Sequence, residues 1–269
     1  MTKQSIDEPA LLIDLDGVIY QGDAVIAGAA DAINWINTHA VRHRYVTNTT
    51  SRSRASLVQK IDQLGIKVRL EEIFTPIMAA LQWLNDHQIK NPALFVPDNA
   101  LSDFNDVGQP GSMAESGADA IVIGDLGDAW DYSLLNRAFR LLMDKSRPVL
   151  IALGMTRYWR AADGLRLDVA PFIKALEYAS SSKAVVVGKP SIEFFDLALS
   201  SFEEKTPETA IMIGDDIVSD IQGAQKAGIK AVLVKTGKYR AQDLHGDVIP
   251  DAILDSIADL PEWWQSKYH

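Results

Sequence analysis

The sequence predicts an α/β fold built around a mostly parallel sheet. Short apolar runs alternate with segments of helical spacing along the 269 residues, the pattern of strands joined by crossover helices. The clearest runs, at 10–13 and 211–213, are continuously apolar, as strands buried on both faces are. A hairpin signal occurs at one place, Asp163-Gly164.

In chain order, Ala10-Leu11-Leu12-Ile13 predicts a buried strand over 10–14. Residues 29–37 carry Ile33 and Ile36 at helical spacing beside Trp35. A second strand is expected at 44–47. The helix expected over 53–64 carries Leu57, Val58, Ile61 and Leu64, with Gly65 placed to end it. Thr75-Pro76 reads as an N-cap followed by proline in the first turn, opening a helix to 84. Strands at 93–97, 120–124 and 148–153 are followed by helices at 134–143 and 172–178. Asp163-Gly164 joins Trp159-Arg160 to 165–167 as a hairpin. The remaining strands are expected at 184–188, 209–214 and 231–235, with helices at 192–202 and 217–227. No internal repeat or low-complexity tract interrupts the series.

Composition removes several function classes. With 47% hydrophobic residues the chain buries a substantial core. It carries 26 Lys+Arg against 36 Asp+Glu, a net charge of -10. That argues against nucleic-acid binding, which needs a basic face, and against attraction to an anionic membrane. There is no cysteine, so no disulfide and no thiolate metal site. The polar stretch 1–9 is no signal peptide, and no segment has the apolar length of a membrane span. A cytoplasmic protein is expected. The histidines His39, His43, His87, His245 and His269 lack the spacing of a zinc site.

The first strand ends in Asp14-Leu15-Asp16-Gly17. Two like charges ~4 Å apart repel by about 4 kcal/mol at an effective dielectric of ~20, so a cation is expected there. The second strand ends in Thr47-Asn48-Thr49-Thr50 before a helix start, which suits anion binding and equally suits simple N-capping. Gly188-Lys189-Pro190 puts an ammonium at a strand end, able to neutralise phosphate oxygens or to sit in a surface turn. Gly214-Asp215-Asp216 and Asp220 close another buried strand. The helix dipole accounts for Asp216 and Asp220 but not for Asp215. In a parallel sheet such strand ends share one edge, so these groups converge. Oxygen ligands without histidine or cysteine point to Mg²⁺, which also binds phosphate.

Asp14-Leu15-Asp16-Gly17-Val18, Thr47-Asn48-Thr49-Thr50, Gly188-Lys189-Pro190 and the run from Gly214 to Asp220 resemble, in order, the four motifs of the haloacid dehalogenase-like hydrolase superfamily. Within it the chain is most similar to the subgroup of phospholysine, phosphohistidine and inorganic pyrophosphate phosphatases. That likeness rests on Arg157-Tyr158-Trp159, 164–168, 171–179, Val187-Gly188-Lys189-Pro190, 212–220 and Val234-Lys235-Thr236-Gly237-Lys238-Tyr239-Arg240. One departure matters: the subgroup carries serine where this chain has Asp16, the acid/base carboxylate of ordinary superfamily phosphatases.

The resemblance implies a Rossmann-like doubly wound parallel core with an inserted α/β cap domain between the second and third motifs. Only 33 positions separate Asp14 from Thr47, too few for a cap. About a hundred separate Thr75 from Lys183, a domain's worth. The expected division is 1–75 plus 183–269 for the core and 76–182 for the cap, with a hinge between them. The implied activity is Mg²⁺-dependent hydrolysis of a small phosphorylated molecule. Asp14 is then the nucleophile and needs no base to activate it. Asp16 protonates the leaving oxygen and then deprotonates water. Asp14, the Asp16 carbonyl and Asp215 hold the metal, with Asp216 and Asp220 behind them. Thr47, Asn48 and Lys189 bind the phosphoryl oxygens. Arg157, Tyr158, Trp159 and Arg160 are read either as a substrate-contacting cap loop or as cap core with solvated arginines. Trp263-Trp264 is expected to pack on the core. Many relatives with this cap type dimerise through it, which admits a homodimer. The alternatives are pyrophosphatase or phosphohistidine/phospholysine phosphatase activity, a dehalogenase, which would need neither Asp16 nor a metal, and a non-catalytic binding or regulatory protein.

Overall fold

In a computed structural model, the protein is described at residues 8–105, 107–108, 110–111, 113–161, 163–202 and 209–268, with backbone only at Arg160 and Ala161. The strands are β1 (Ala10–Asp14), β2 (Tyr20–Gln21), β3 (Ala24–Val25), β4 (His43–Val46), β5 (Ile73–Phe74), β6 (Pro92–Phe95), β7 (Ala120–Ile123), β8 (Val149–Ala152), β9 (Tyr158–Ala161), β10 (Gly164–Leu167), β11 (Val185–Val186), β12 (Ala210–Gly214), β13 (Lys230–Val234) and β14 (Ala252–Leu254). The helices are α1 (Ala29–Thr38), α2 (Arg54–Gln63), α3 (Pro76–Asp86), α4 (Asp98–Leu101), α5 (Tyr132–Leu142), α6 (Val169–Ser180), α7 (Ile192–Ser200), α8 (Gly223–Lys226) and α9 (Leu260–Tyr268). Among the described residues no helix is long and apolar enough to cross a membrane.

The chain forms two compact units. One takes its described residues from 8–47, 55–74 and 189–268, the other from 48–54 and 75–188. The first unit holds a six-stranded sheet in the order β14-β13-β12-β1-β4-β5, every pair parallel. β1 is central, and the winding reverses between it and β12. That reversal makes the carboxyl ends of β1 and β12 the topological switch point, where such sheets open a crevice.

Alternation along the strands sends side chains to both faces. Leu11, Ile13, Ile211, Ile213, Val232 and Val234 pack with Ile33 and Ile36 of α1, Leu57 and Ile61 of α2, and Leu260 and Trp264 of α9. Trp264 is part of this core and Trp263 lies against it, as expected. On the opposite face Arg44 donates from Nη2 to the Ser201 carbonyl at 2.8 Å, at the end of α7. Phe194 of α7 meets the Phe74 ring of β5 at 5.4 Å. Helices therefore cover both faces, as a doubly wound fold requires.

The second unit has its own four-stranded parallel sheet, β11-β8-β7-β6, and its own core. The α3 start is the one its sequence signals: the Met78 N–H donates to Thr75 Oγ1 at 3.3 Å, and Pro76 occupies the first turn. β9 and β10 pair antiparallel around Asp163. One expectation changes. The strand read at 184–188 is β11, and it pairs with β8 of the second sheet. Lys189 therefore does not leave a strand of the core sheet. The chain passes into the first unit between Gly188 and Lys189.

Candidate active site

Register sets the site's frame. Val46 pairs with Asp14, and Ile213 with Ile13. Thr47 thus follows one residue beyond the Asp14 row, and Asp215 begins just past the end of β12. All three are buried. The Thr47 N–H donates to the Phe74 carbonyl at 3.3 Å, which extends the β4–β5 ladder to that residue. Asn48 is half-buried and opens the segment 48–54 of the second unit.

Lys189 is the cation of the cluster. Its Nζ donates to Asp14 Oδ1 and to Asp220 Oδ1, each at 2.7 Å, with all three side chains buried. Burial works against the ammonium, but the two carboxylates outweigh it and hold the Lys189 pKa above its usual value. Asp220 is saturated, because its Oδ2 also accepts the Asp215 and Asp216 N–H groups, each at 3.2 Å. It is brought inward by a wide π-helical turn, Ile217–Gln222, which continues as α8. The helix expected at 217–227 is thus present but opens with a π turn, a device often found at functional sites.

Asp216 behaves differently. Its Oδ1 accepts the Val218 and Ser219 N–H groups at 3.0 and 2.9 Å, and its Oδ2 faces Lys238 Nζ at 3.3 Å. Burial pushes its pKa up, but those backbone donors and Lys238 prevail and lower it. This is N-capping.

Asp215 is wholly buried. Its Oδ2 accepts the Lys238 N–H at 2.6 Å, while Oδ1 has no hydrogen-bond partner among the described residues. Burial, then the neighbouring Asp14 and Asp220 charges, push Asp215 up to about 7, and burial pushes Asp220 up to about 6. Asp14 and Asp220 share the Lys189 ammonium, Asp215 has only the Lys238 amide and its more distant charge in opposition to that push, and an additional positive charge would relieve the three carboxylates. One oxygen each from Asp14, Asp215 and Asp220 lie within 4.8 Å of one another. An unpartnered buried carboxylate oxygen in an all-oxygen set fits a hard divalent cation such as Mg²⁺.

Asp16 is exposed, in the turn that follows β1. There it bridges to Tyr20, and the Gly17 N–H donates to the Tyr20 carbonyl at 2.6 Å. Arg157, Tyr158, Trp159 and Arg160 lie in the second unit, on and before β9. Tyr158 and Trp159 are 52% and 44% exposed, so they are not the core of that unit. The Arg157 guanidinium lies 5.9 Å from the Tyr158 ring centroid. The Arg160 side chain falls outside the described residues.

Sequence patterning assigns no role to Thr236, Gly237 and Lys238, although they border Asp215. The available signal was a Thr-Gly pair one residue beyond the end of strand β13.

Comparisons with known proteins identify the family and the fold. A family model described as haloacid dehalogenase-like hydrolase matches residues 11–109. A second, HAD-hydrolase-like model matches residues 186–260. The chain is 40% identical over 255 residues to a phospholysine phosphohistidine inorganic pyrophosphate phosphatase of Xenopus laevis, covering 93% of this chain and 92% of that one. It is 43% identical over 234 residues to a haloacid dehalogenase-like hydrolase domain-containing protein 2 of Rattus norvegicus, covering 87% and 86%. Among solved structures, a p-nitrophenyl phosphatase from Archaeoglobus fulgidus shares the fold with a TM-score of 0.82 at 22% identity, covering 96% of this chain and 99% of that one.

Proposed function

The chain belongs to the haloacid dehalogenase-like hydrolase family and is a phosphatase, and from that premise we propose that it hydrolyses small phosphate esters through an aspartyl-phosphate on Asp14. The observation that carries this reading is the buried Asp14–Lys189–Asp220 array beside the unpartnered Asp215 Oδ1, at the switch point of the sheet.

In the proposed reaction a carboxylate oxygen of Asp14 attacks phosphorus, and the bond to the leaving oxygen breaks. Asp16 gives that oxygen its proton. Water then attacks the aspartyl-phosphate, the bond from phosphorus to Asp14 breaks, and Asp16 takes back a proton. The exposure of Asp16 supports a role at the solvent-accessible side of the reacting group. Lys189 and the Thr47–Asn48 turn would hold the phosphoryl oxygens, whose charge must be balanced throughout. Asp14, the Asp16 carbonyl and Asp215 would hold Mg²⁺, with Asp220 fixing Lys189 behind them. When bound, the ion supplies charge neutralisation at the phosphoryl oxygens. Exposed Arg157, Tyr158 and Trp159 are offered as substrate-selecting residues.

A second reading, hydrolysis of pyrophosphate or P–N bonds, is favoured by the names of relatives 39% and 40% identical to the chain. Asp16 argues for esters. Phosphate or imidazole departs without needing a proton from a strong donor, whereas an alkoxide does not.

The test is a hydrolysis screen of wild type and Asp14→Asn with Mg²⁺ or with chelator. It would cover p-nitrophenyl phosphate, alkyl phosphates, pyrophosphate and phosphohistidine. Turnover of esters that requires both metal and Asp14 is expected. Turnover confined to pyrophosphate and P–N bonds would replace the first reading with the second.

A further inference from the structure

The loop after β13 returns over Asp215. Lys238 donates its backbone N–H to Asp215 Oδ2 at 2.6 Å. Thr236 Oγ1 donates to the Gly17 carbonyl at 2.5 Å, tying this loop to the turn after β1. Gly17 and Gly237 have φ of +89° and +58°, and a Cβ on either would come within 2.0 Å of Asp215 Oδ2. One carboxylate oxygen is therefore enclosed between two glycines and an amide, while the other is buried without a partner.

We infer that Gly17 and the Thr236-Gly237-Lys238 loop form a clamp that restricts Asp215 to a single metal-facing oxygen, and so select a small octahedral cation over Ca²⁺. The inference rests on the metal reading above. Ca²⁺ takes six to eight oxygens and often binds a carboxylate through both, whereas Mg²⁺ takes six at shorter distance and keeps waters. With Oδ2 held by Lys238, Asp215 cannot chelate through both oxygens. Asp220 also has both oxygens engaged, and Asp14 has Oδ1 on Lys189. A site so arranged lacks the oxygen supply that Ca²⁺ prefers. Thr236, Gly237 and the backbone amide of residue 238 thus position Asp215, and the Lys238 side chain takes no part in the clamp.

Calorimetric titration of Mg²⁺ and of Ca²⁺ into the chelator-treated protein tests this. Gly237→Ala pushes a methyl into Oδ2 and should weaken Mg²⁺ binding about tenfold or more, while Ca²⁺ binding changes less, so that the Mg²⁺/Ca²⁺ preference falls. Thr236→Val, nearly isosteric, should shift the preference the same way by a smaller factor. Lys238→Ala keeps the backbone N–H and should leave the preference within about twofold. A general loss of folding lowers both affinities together and does not move their ratio. Circular dichroism identifies a variant that has not folded, and if Gly237→Ala is one, Thr236→Val carries the test. An unchanged ratio in the folded variants overturns the clamp alone. So does Lys238→Ala shifting the ratio as far as Gly237→Ala. A wild type that binds neither ion overturns the metal reading and the clamp with it.

Discussion

Lys189 sits 2.7 Å from oxygens of both Asp14 and Asp220 in a buried setting, so its removal leaves two carboxylates facing each other without compensation. Lys189→Met should cost about 3–5 kcal/mol, read from urea unfolding of the metal-free protein. A loss close to zero would mean the array contributes nothing to the fold. Asp16 makes a different kind of contribution. Exposed and outside this array, it should be dispensable for stability yet decisive for poor leaving groups. Asp16→Ser should lower kcat on alkyl phosphates by roughly 10²–10⁴-fold and affect pyrophosphate far less. Equal losses on both substrates would remove the proton-donor role. Asp14 and Asp215 were legible in the sequence because charged groups at the ends of apolar runs are costly without partners, whereas Lys189 and Asp220 had bland local explanations and were marked by the order of the four motifs. The Asp215 clamp was not, since a backbone N–H and two α-carbons leave no chemical signature in a residue pattern.

At the scale of the element, the turn that follows β12 is organised by Asp216, whose Oδ1 accepts two backbone N–H groups. Asp216→Ala should cost about 1–2 kcal/mol and Asp216→Ser should recover most of it, as thermal unfolding would show. Failure of serine to rescue would mean the charge, facing Lys238, matters more than the cap. β4 carries a pH-sensitive group. His43 is buried beside Tyr45, and burial lowers its pKa from 6.5 against the opposing pull of the Val41 carbonyl and Glu72. The folded state therefore binds this proton less readily than the unfolded chain. The His43 contribution is complete above the unfolded value of 6.5 and is lost as pH falls through the lower folded value. Unfolding free energies between about pH 7.5 and 5.5 should fall more steeply for wild type than for His43→Asn. Parallel slopes would contradict this. Element identity was legible where a local signal is strong, as at Thr75-Pro76. β5 and β14, of two and three residues, are too short to show a period. α9 buries only Leu260 and Trp264, too few to mark a helix. Nothing local tells β11 which sheet it joins.

Across the whole molecule, the order β14-β13-β12-β1-β4-β5 brings segments distant in sequence to one point. Asp14 and Asp220 are joined through Lys189 although 206 positions separate them in the chain. Alternating strands and helices made the parallel sheet legible, and the four motifs made its working edge legible. The contribution of a second sheet to the path of Lys189 appeared only in three dimensions. The central claim is that this edge forms a covalent phosphoryl intermediate on Asp14. The most direct measurement is acid quenching of the enzyme during turnover of p-nitrophenyl phosphate with Mg²⁺, followed by peptide mass spectrometry. One added phosphoryl group on the peptide carrying Asp14, absent from Asp14→Asn and from chelator-treated enzyme, is the predicted result. Full turnover by Asp14→Asn, or a phosphoryl group on any other residue, would contradict it.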